Sequence, residues 1–111
     1  MTGVRVHTFD SAKDFKAEIA KPEYQGKLVV VDFTATWCGP CQAIKPRVHD
    51  LAKAEPTVVF FEIDVDESDN CSGELGISAM PTFHLYKDSV KIGELVGANY
   101  AALQDLVEKN K

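Results

Sequence analysis

The order of apolar segments in this chain predicts an α/β fold, a mixed sheet of five strands covered by four helices. Two observations carry that prediction. "KLVVVDF" and "TVVFFEI" are continuous apolar runs of the kind that form strands buried on both faces. Segments with helical spacing alternate with the strands until a closing strand pair, which gives the order β-α-β-α-β-α-β-β-α. Strand–helix alternation implies parallel pairing, and the closing hairpin implies antiparallel pairing in the same sheet.

The elements follow in order. Val4, Val6 and Thr8 alternate with Arg5, His7 and Phe9, as in a half-exposed strand. Ser11 is placed to cap a short helix carrying Ala12, Phe15 and Ile19, which Pro22 ends. The "KLVVVDF" strand comes next. A second helix starts at about Gly39, with Ile44, Val48, Leu51 and Ala52 on one face, and stops by Pro56. Pro46 lies inside it and removes a backbone donor, so a kink is expected there. After "TVVFFEI", a weak helix from about Ser68 to Leu75 is interrupted by Gly73. "TFHLY" and "KIGELV" are strands joined by a tight turn at Asp88-Ser89. Asn99 caps a final helix with Leu103, Leu106 and Val107 along one face. No repeat, linker or low-complexity segment breaks the order, so residues 1–111 read as one domain.

Charge and length exclude several classes. A chain of 111 residues can bury roughly two-thirds of its unfolded surface and folds without staples. Its net charge of −5 speaks against a nucleic-acid surface, which needs clustered positive charge. No apolar run approaches the ~18 residues of a membrane span. The start, "MTGVR", has no signal-peptide core, so a soluble, cytoplasmic protein is expected. Three cysteines make a poor disulfide framework.

The chemistry lies in "DFTATWCGPCQAIKP", Asp32 to Pro46. It sits where a central strand hands over to a helix, the place where sites gather in open α/β folds. Cys38 falls at the helix N-terminus, whose unpaired N–H groups stabilise an anion by about 0.3–2 kcal/mol. That lowers the thiol pKa from its usual range, and the thiolate is the attacking species in disulfide exchange. Residues three apart within a regular helix have Cβ atoms about 5–6 Å apart, too far for a disulfide. With Cys38 outside the regular helix the gap can close. Pro40 is tolerated in the first turn, and Gly39 leaves room for the chain to bend. Cys41, one turn in, is expected to be the more buried thiol. The Gly-Pro spacer supplies no cation, so a reducing poise is expected.

These residues resemble the thioredoxin family. "WCGPC" is that family's active-site motif. It is preceded by "VVDFTAT", like the family's buried-Asp strand, and followed by "MPT" and by "ELVGAN", similar to the segment with a site-facing glycine. The resemblance covers essentially the whole chain. It implies the thioredoxin fold, a three-layer domain, and the activity of a protein-disulfide reductase. It implies Cys38 as nucleophile, Cys41 as resolving thiol, and Asp32 as the buried carboxylate that helps, through water, to take the proton from Cys41. Gly39 and Pro40 modulate the pair. Trp37, Pro40, Met80, Pro81, Gly97 and Ala98 form an apolar surface for the substrate polypeptide, and the Met80–Pro81 bond is expected to be cis. No cofactor is bound beyond the reversible Cys38–Cys41 disulfide. Electrons come from NADPH through a separate thioredoxin reductase, so the implied partners are that reductase and disulfide-containing proteins, with no nucleic acid and no membrane.

Three positions depart from the family pattern. Glu62 stands where bacterial members carry lysine, as in eukaryotic members, and a second acid there raises the pKa of Asp32. The hairpin turn lacks glycine, which leaves its type open. Ala79 stands where some animal members have an extra cysteine, so a monomer is expected. Rival readings have less support. Zinc needs two further ligands, and Cys71, His7, His49 and His84 show no second paired spacing. The histidines read as surface or strand-face residues without a role. Asp64, Asp66, Glu67 and Asp69 read as a solvated loop, and Cys71 as a core residue. A redox-independent docking subunit and a redox sensor remain alternatives; an insulin-reduction assay separates them from a general reductase.

Overall fold

The computed structural model describes residues 3–111; Met1 and Thr2, the start of the segment "MTGVR", lie outside them. The strands are β1 (Val4–Val6), β2 (Leu28–Thr34), β3 (Val59–Asp64), β4 (Thr82–Lys87) and β5 (Val90–Val96). The helices are α1 (Ala12–Ile19), α2 (Gly39–Ala54), α3 (Asp69–Glu74) and α4 (Tyr100–Asn110). The sheet order is β1-β3-β2-β4-β5. β3 pairs in parallel with β1 and β2, while β4 pairs antiparallel with β2 and β5. The expected mixed sheet is therefore present, with the parallel and antiparallel halves meeting at β2.

β2 is buried along its whole length because both faces are covered. Val29, Val31 and Phe33 pack with Phe15, Ile19, Phe61, Ile63 and Cys71, the layer of α1 and α3. Leu28 and Val30 pack with Ile44, Val48, Leu51, Leu103 and Val107, the layer of α2 and α4. Strand side chains alternate between faces, so Asp32 belongs to the α2 side, in register with Glu62 on β3 and Phe83 on β4.

Local chemistry sets the boundaries. Ser11 Oγ accepts from the Asp14 N–H at 3.1 Å and Asn99 Oδ1 from the Ala102 N–H at 3.0 Å, so both expected N-caps form. α2 runs in one piece through Pro46. β1 is shorter than its alternation suggested. Beyond Val6 the chain leaves the sheet, and Phe9 turns into the core with its N–H on Ser68 Oγ at 2.9 Å. α1 ends before Pro22, which instead opens a 3-10 turn, Pro22–Tyr24, that buries Tyr24. The hairpin turn has φ of +50° at Asp88 and +68° at Ser89. Two positive values in a two-residue loop define a type I′ turn, whose twist suits the flanking strands. Asp88 secures it by accepting the Gly26 N–H at 2.7 Å. His84 is buried rather than superficial, 3.0 Å from Glu94 across β4–β5.

Candidate active site

Cys38 is the N-cap of α2, in extended conformation. Its Sγ accepts the Cys41 N–H at 3.2 Å, one of the first-turn donors that have no partner inside a helix. Gly39 and Pro40 form the exposed first turn, where proline costs no hydrogen bond. Because Cys38 lies outside the regular helix, the two Cα atoms are 5.3 Å apart and the sulfurs are joined as a disulfide. Both cysteines are nearly covered, 6% exposed for Cys38 and 3% for Cys41. The expected contrast between an open and a buried thiol is therefore small. Ala35, Val65 and Met80 pack around the pair and close over it.

The surrounding surface comes from three loops. Cys38 Sγ lies 3.6 Å from the Met80 carbonyl oxygen, and the Met80–Pro81 peptide is cis. Gly97 donates its N–H to the Pro81 carbonyl at 2.8 Å with φ of +103°, a left-handed conformation that favours glycine. Met80 and Gly97 are half-buried, Pro81 is buried and Ala98 is exposed. Trp37 stands 66% exposed, with its indole N–H on Asp66 Oδ2 at 2.8 Å. In the sequence Asp66 reads as one of a run of solvated loop acids. Nothing in its spacing reveals that the loop after β3 folds back onto Trp37. Asp64 shapes that loop by accepting the Asp66 N–H at 2.8 Å.

On the sheet face covered by α2 lies Asp32, 5% exposed, with Oδ1 buried and unpartnered among the described residues. Burial, and then the charge of Glu62, push its carboxyl up to about 7, against the opposing pull of Lys45. Glu62 is itself buried and faces two groups of α2, Lys45 Nζ at 3.7 Å and His49 Nε2 at 3.6 Å. Lys45 and His49 are four residues apart and so share a helix face. The sequence singled out Glu62 but not these partners. Cys71 lies apart, wholly buried in the α1/α3 layer, and burial pushes its thiol up to about 11. Among the described residues no group of three or more His, Cys, Asp or Glu side chains could hold a metal ion, and no helix is long and apolar enough to cross a membrane.

A cysteine pair closing at a strand-to-helix junction, on a mixed sheet with helices on both faces, belongs to a thiol–disulfide oxidoreductase. Comparison with known proteins fixes the family. The thioredoxin family model matches residues 6–109. A thioredoxin of the king cobra Ophiophagus hannah is 44% identical over 96 residues, 86% of this chain and 90% of the relative. An H-type thioredoxin of Chlamydomonas reinhardtii is 45% identical over 109 residues, 97% of this chain and 96% of the relative. Among solved structures, Fasciola hepatica thioredoxin superposes with a TM-score of 0.86 at 39% identity, covering 96% of this chain and 99% of that one. The chain belongs to the thioredoxin family. It is a protein dithiol–disulfide oxidoreductase that reduces disulfides in substrate proteins by exchange through Cys38 and Cys41.

Proposed function

We propose that this chain is a monomeric cytoplasmic electron carrier, recharged by an NADPH-dependent thioredoxin reductase, that delivers electrons to many protein disulfides. In the reduced protein the thiolate of Cys38 attacks a substrate disulfide, forms a mixed disulfide and releases one substrate thiolate. Asp32 takes the proton of Cys41. The Cys41 thiolate then attacks Cys38, closes the intramolecular disulfide, and the second substrate sulfur leaves with the electron pair. Two electrons pass from the cysteines to the substrate. The observation that carries these roles is the placement of Cys38 at the α2 cap, with Asp32 buried on the sheet face under α2.

Trp37, Pro40, Met80, Pro81, Gly97 and Ala98 receive the substrate. The Met80 backbone lies beside Cys38, where an extended polypeptide can pair with it as an added strand. Insulin reduction coupled to NADPH oxidation by thioredoxin reductase tests the proposal. Steady NADPH consumption with precipitation of the insulin chains is expected. Binding without turnover would make the chain a docking subunit, and turnover of a single partner would make it a sensor.

A further inference from the structure

Asp32 is sealed from solvent, yet a group that accepts a proton in each catalytic cycle must lose it again. The fold provides one polar route outward. On β3, Glu62 is in register with Asp32 and on the same face of the sheet, on strands whose backbones run about 4.8 Å apart. Beyond Glu62 lies only the edge strand, where its neighbour Val6 is 69% exposed. From α2, His49 turns Nε2 inward to within 3.6 Å of Glu62, and that nitrogen is buried without a hydrogen-bond partner. The rest of the His49 side chain is open, with 40% of its surface accessible. Lys45 faces the other Glu62 oxygen at 3.7 Å. The neighbouring strands add no further charge in register with these two: β4 presents Phe83 to Asp32, and β1 presents Val6 to Glu62. An imidazole with one nitrogen facing a buried carboxylate at 3.6 Å and the rest of its side chain open to solvent has the form of a proton shuttle.

We propose that Glu62 and His49 form the port through which Asp32 exchanges its proton with solvent, with His49 as the exposed relay and Lys45 holding Glu62 in place. This rests on the role given above to Asp32. The Cys41 thiol gives its proton to the Asp32 carboxylate. The resulting thiolate forms the S–S bond to Cys38 and displaces the substrate thiolate. The proton then passes by Glu62 to His49, whose imidazole releases it to water. Glu62 and His49 touch neither the sulfurs nor the substrate, so they act as positioning residues.

The test is single-turnover stopped-flow of the reduced protein with a protein disulfide, in dilute buffer near pH 6, where Asp32 starts protonated and must discharge through the port before it can take the proton of Cys41; the trace resolves the attack by Cys38 from the resolution by Cys41. In His49→Ala, resolution should slow by on the order of tenfold, less than the ~10²-fold expected for losing a general base outright. Added imidazole should restore most of the loss, whereas 1,3-dimethylimidazolium, which has no nitrogen able to take up or release a proton, should not. Attack by Cys38 monitors folding in the same trace. Glu62→Gln should slow resolution and abolish the imidazole rescue seen when it is combined with His49→Ala. Resolution at the parent rate in His49→Ala, or a loss that imidazole does not repair, overturns the port. Asp32→Asn separates the two claims. If its resolution is also at the parent rate, the role of Asp32 fails. If it is slow while His49→Ala is fast, the port alone fails.

Discussion

Asp32 and Cys71 are both buried acids, and burial pushes both upward, with different consequences. The Asp32 carboxyl at about 7 can take up and release a proton near neutral pH, whereas the Cys71 thiol at about 11 stays protonated and inert. For Asp32 the linkage has a definite sign. The unfolded carboxyl ionises near 4 and the folded one near 7, so the folded state holds the extra proton between them. Stability therefore falls as pH rises through that window and levels off above it, a loss on the order of 4 kcal/mol. Asp32→Asn should remove this loss. We expect the variant to exceed the parent in urea melts at pH 8 by a few kcal/mol, with the advantage shrinking toward pH 4. A difference independent of pH would show that Asp32 is not protonated on folding. At the sulfurs, Cys41→Ser should trap mixed disulfides visible on non-reducing gels, while Cys38→Ser should trap none. Capture by Cys38→Ser alone would exchange the roles.

At the scale of elements, caps and turns decide where strands and helices stop. Asn99 accepts the Ala102 N–H at the start of α4, the helix that covers Phe83 and Leu85 on the sheet. Asn99→Ala should cost about 1 kcal/mol of unfolding free energy in denaturant melts, while Asn99→Gly should cost only a few tenths. The β4–β5 turn carries the opposite opportunity. Ser89 sits at φ +68°, where an L side chain costs about 1–2 kcal/mol and glycine nothing. Ser89→Gly should therefore stabilise the protein by roughly 0.5–1 kcal/mol, after the greater entropy of glycine in the unfolded chain is deducted. Unchanged or lower stability in urea would mean that the Asp88 bond to Gly26 already holds the turn at no net cost. Glycine in that turn is a common signal, and its absence hid the turn type from the sequence.

At the scale of the whole molecule, the site lies where the layers meet. The pair belongs to α2, its floor to β2, and its rim to the loops before β4 and after β5. Cys71 is on the other side of the sheet, wholly enclosed by the α1/α3 core. Its alkylation should require global opening, so its rate in the reduced protein should rise with denaturant in step with the unfolding equilibrium. Cys38 should react quickly without denaturant. Labelling of Cys71 in the absence of denaturant at a rate like that of Cys38 would mean that α3 opens by itself and that the thiol can serve in regulation.

The sequence by itself determined whatever depends on near neighbours. Apolar periodicity set the strand and helix order, Ser11 and Asn99 set two helix starts, and "WCGPC" placed a thiol at a helix cap with its partner one turn on. The burial of Asp32 was also legible, because β2 is apolar on both sides of it. Tertiary structure alone decided what depends on contacts between distant segments. Asp66 reaches Trp37 from 29 positions away because the β3–α3 loop folds back over the pair. Lys45 and His49 meet Glu62 only because α2 lies across β3. Cys38 is nearly as covered as Cys41 because Met80, 42 positions away, packs against it. No local pattern encodes such encounters, since a side chain's partners across a sheet or under a helix are chosen by packing and not by spacing along the chain.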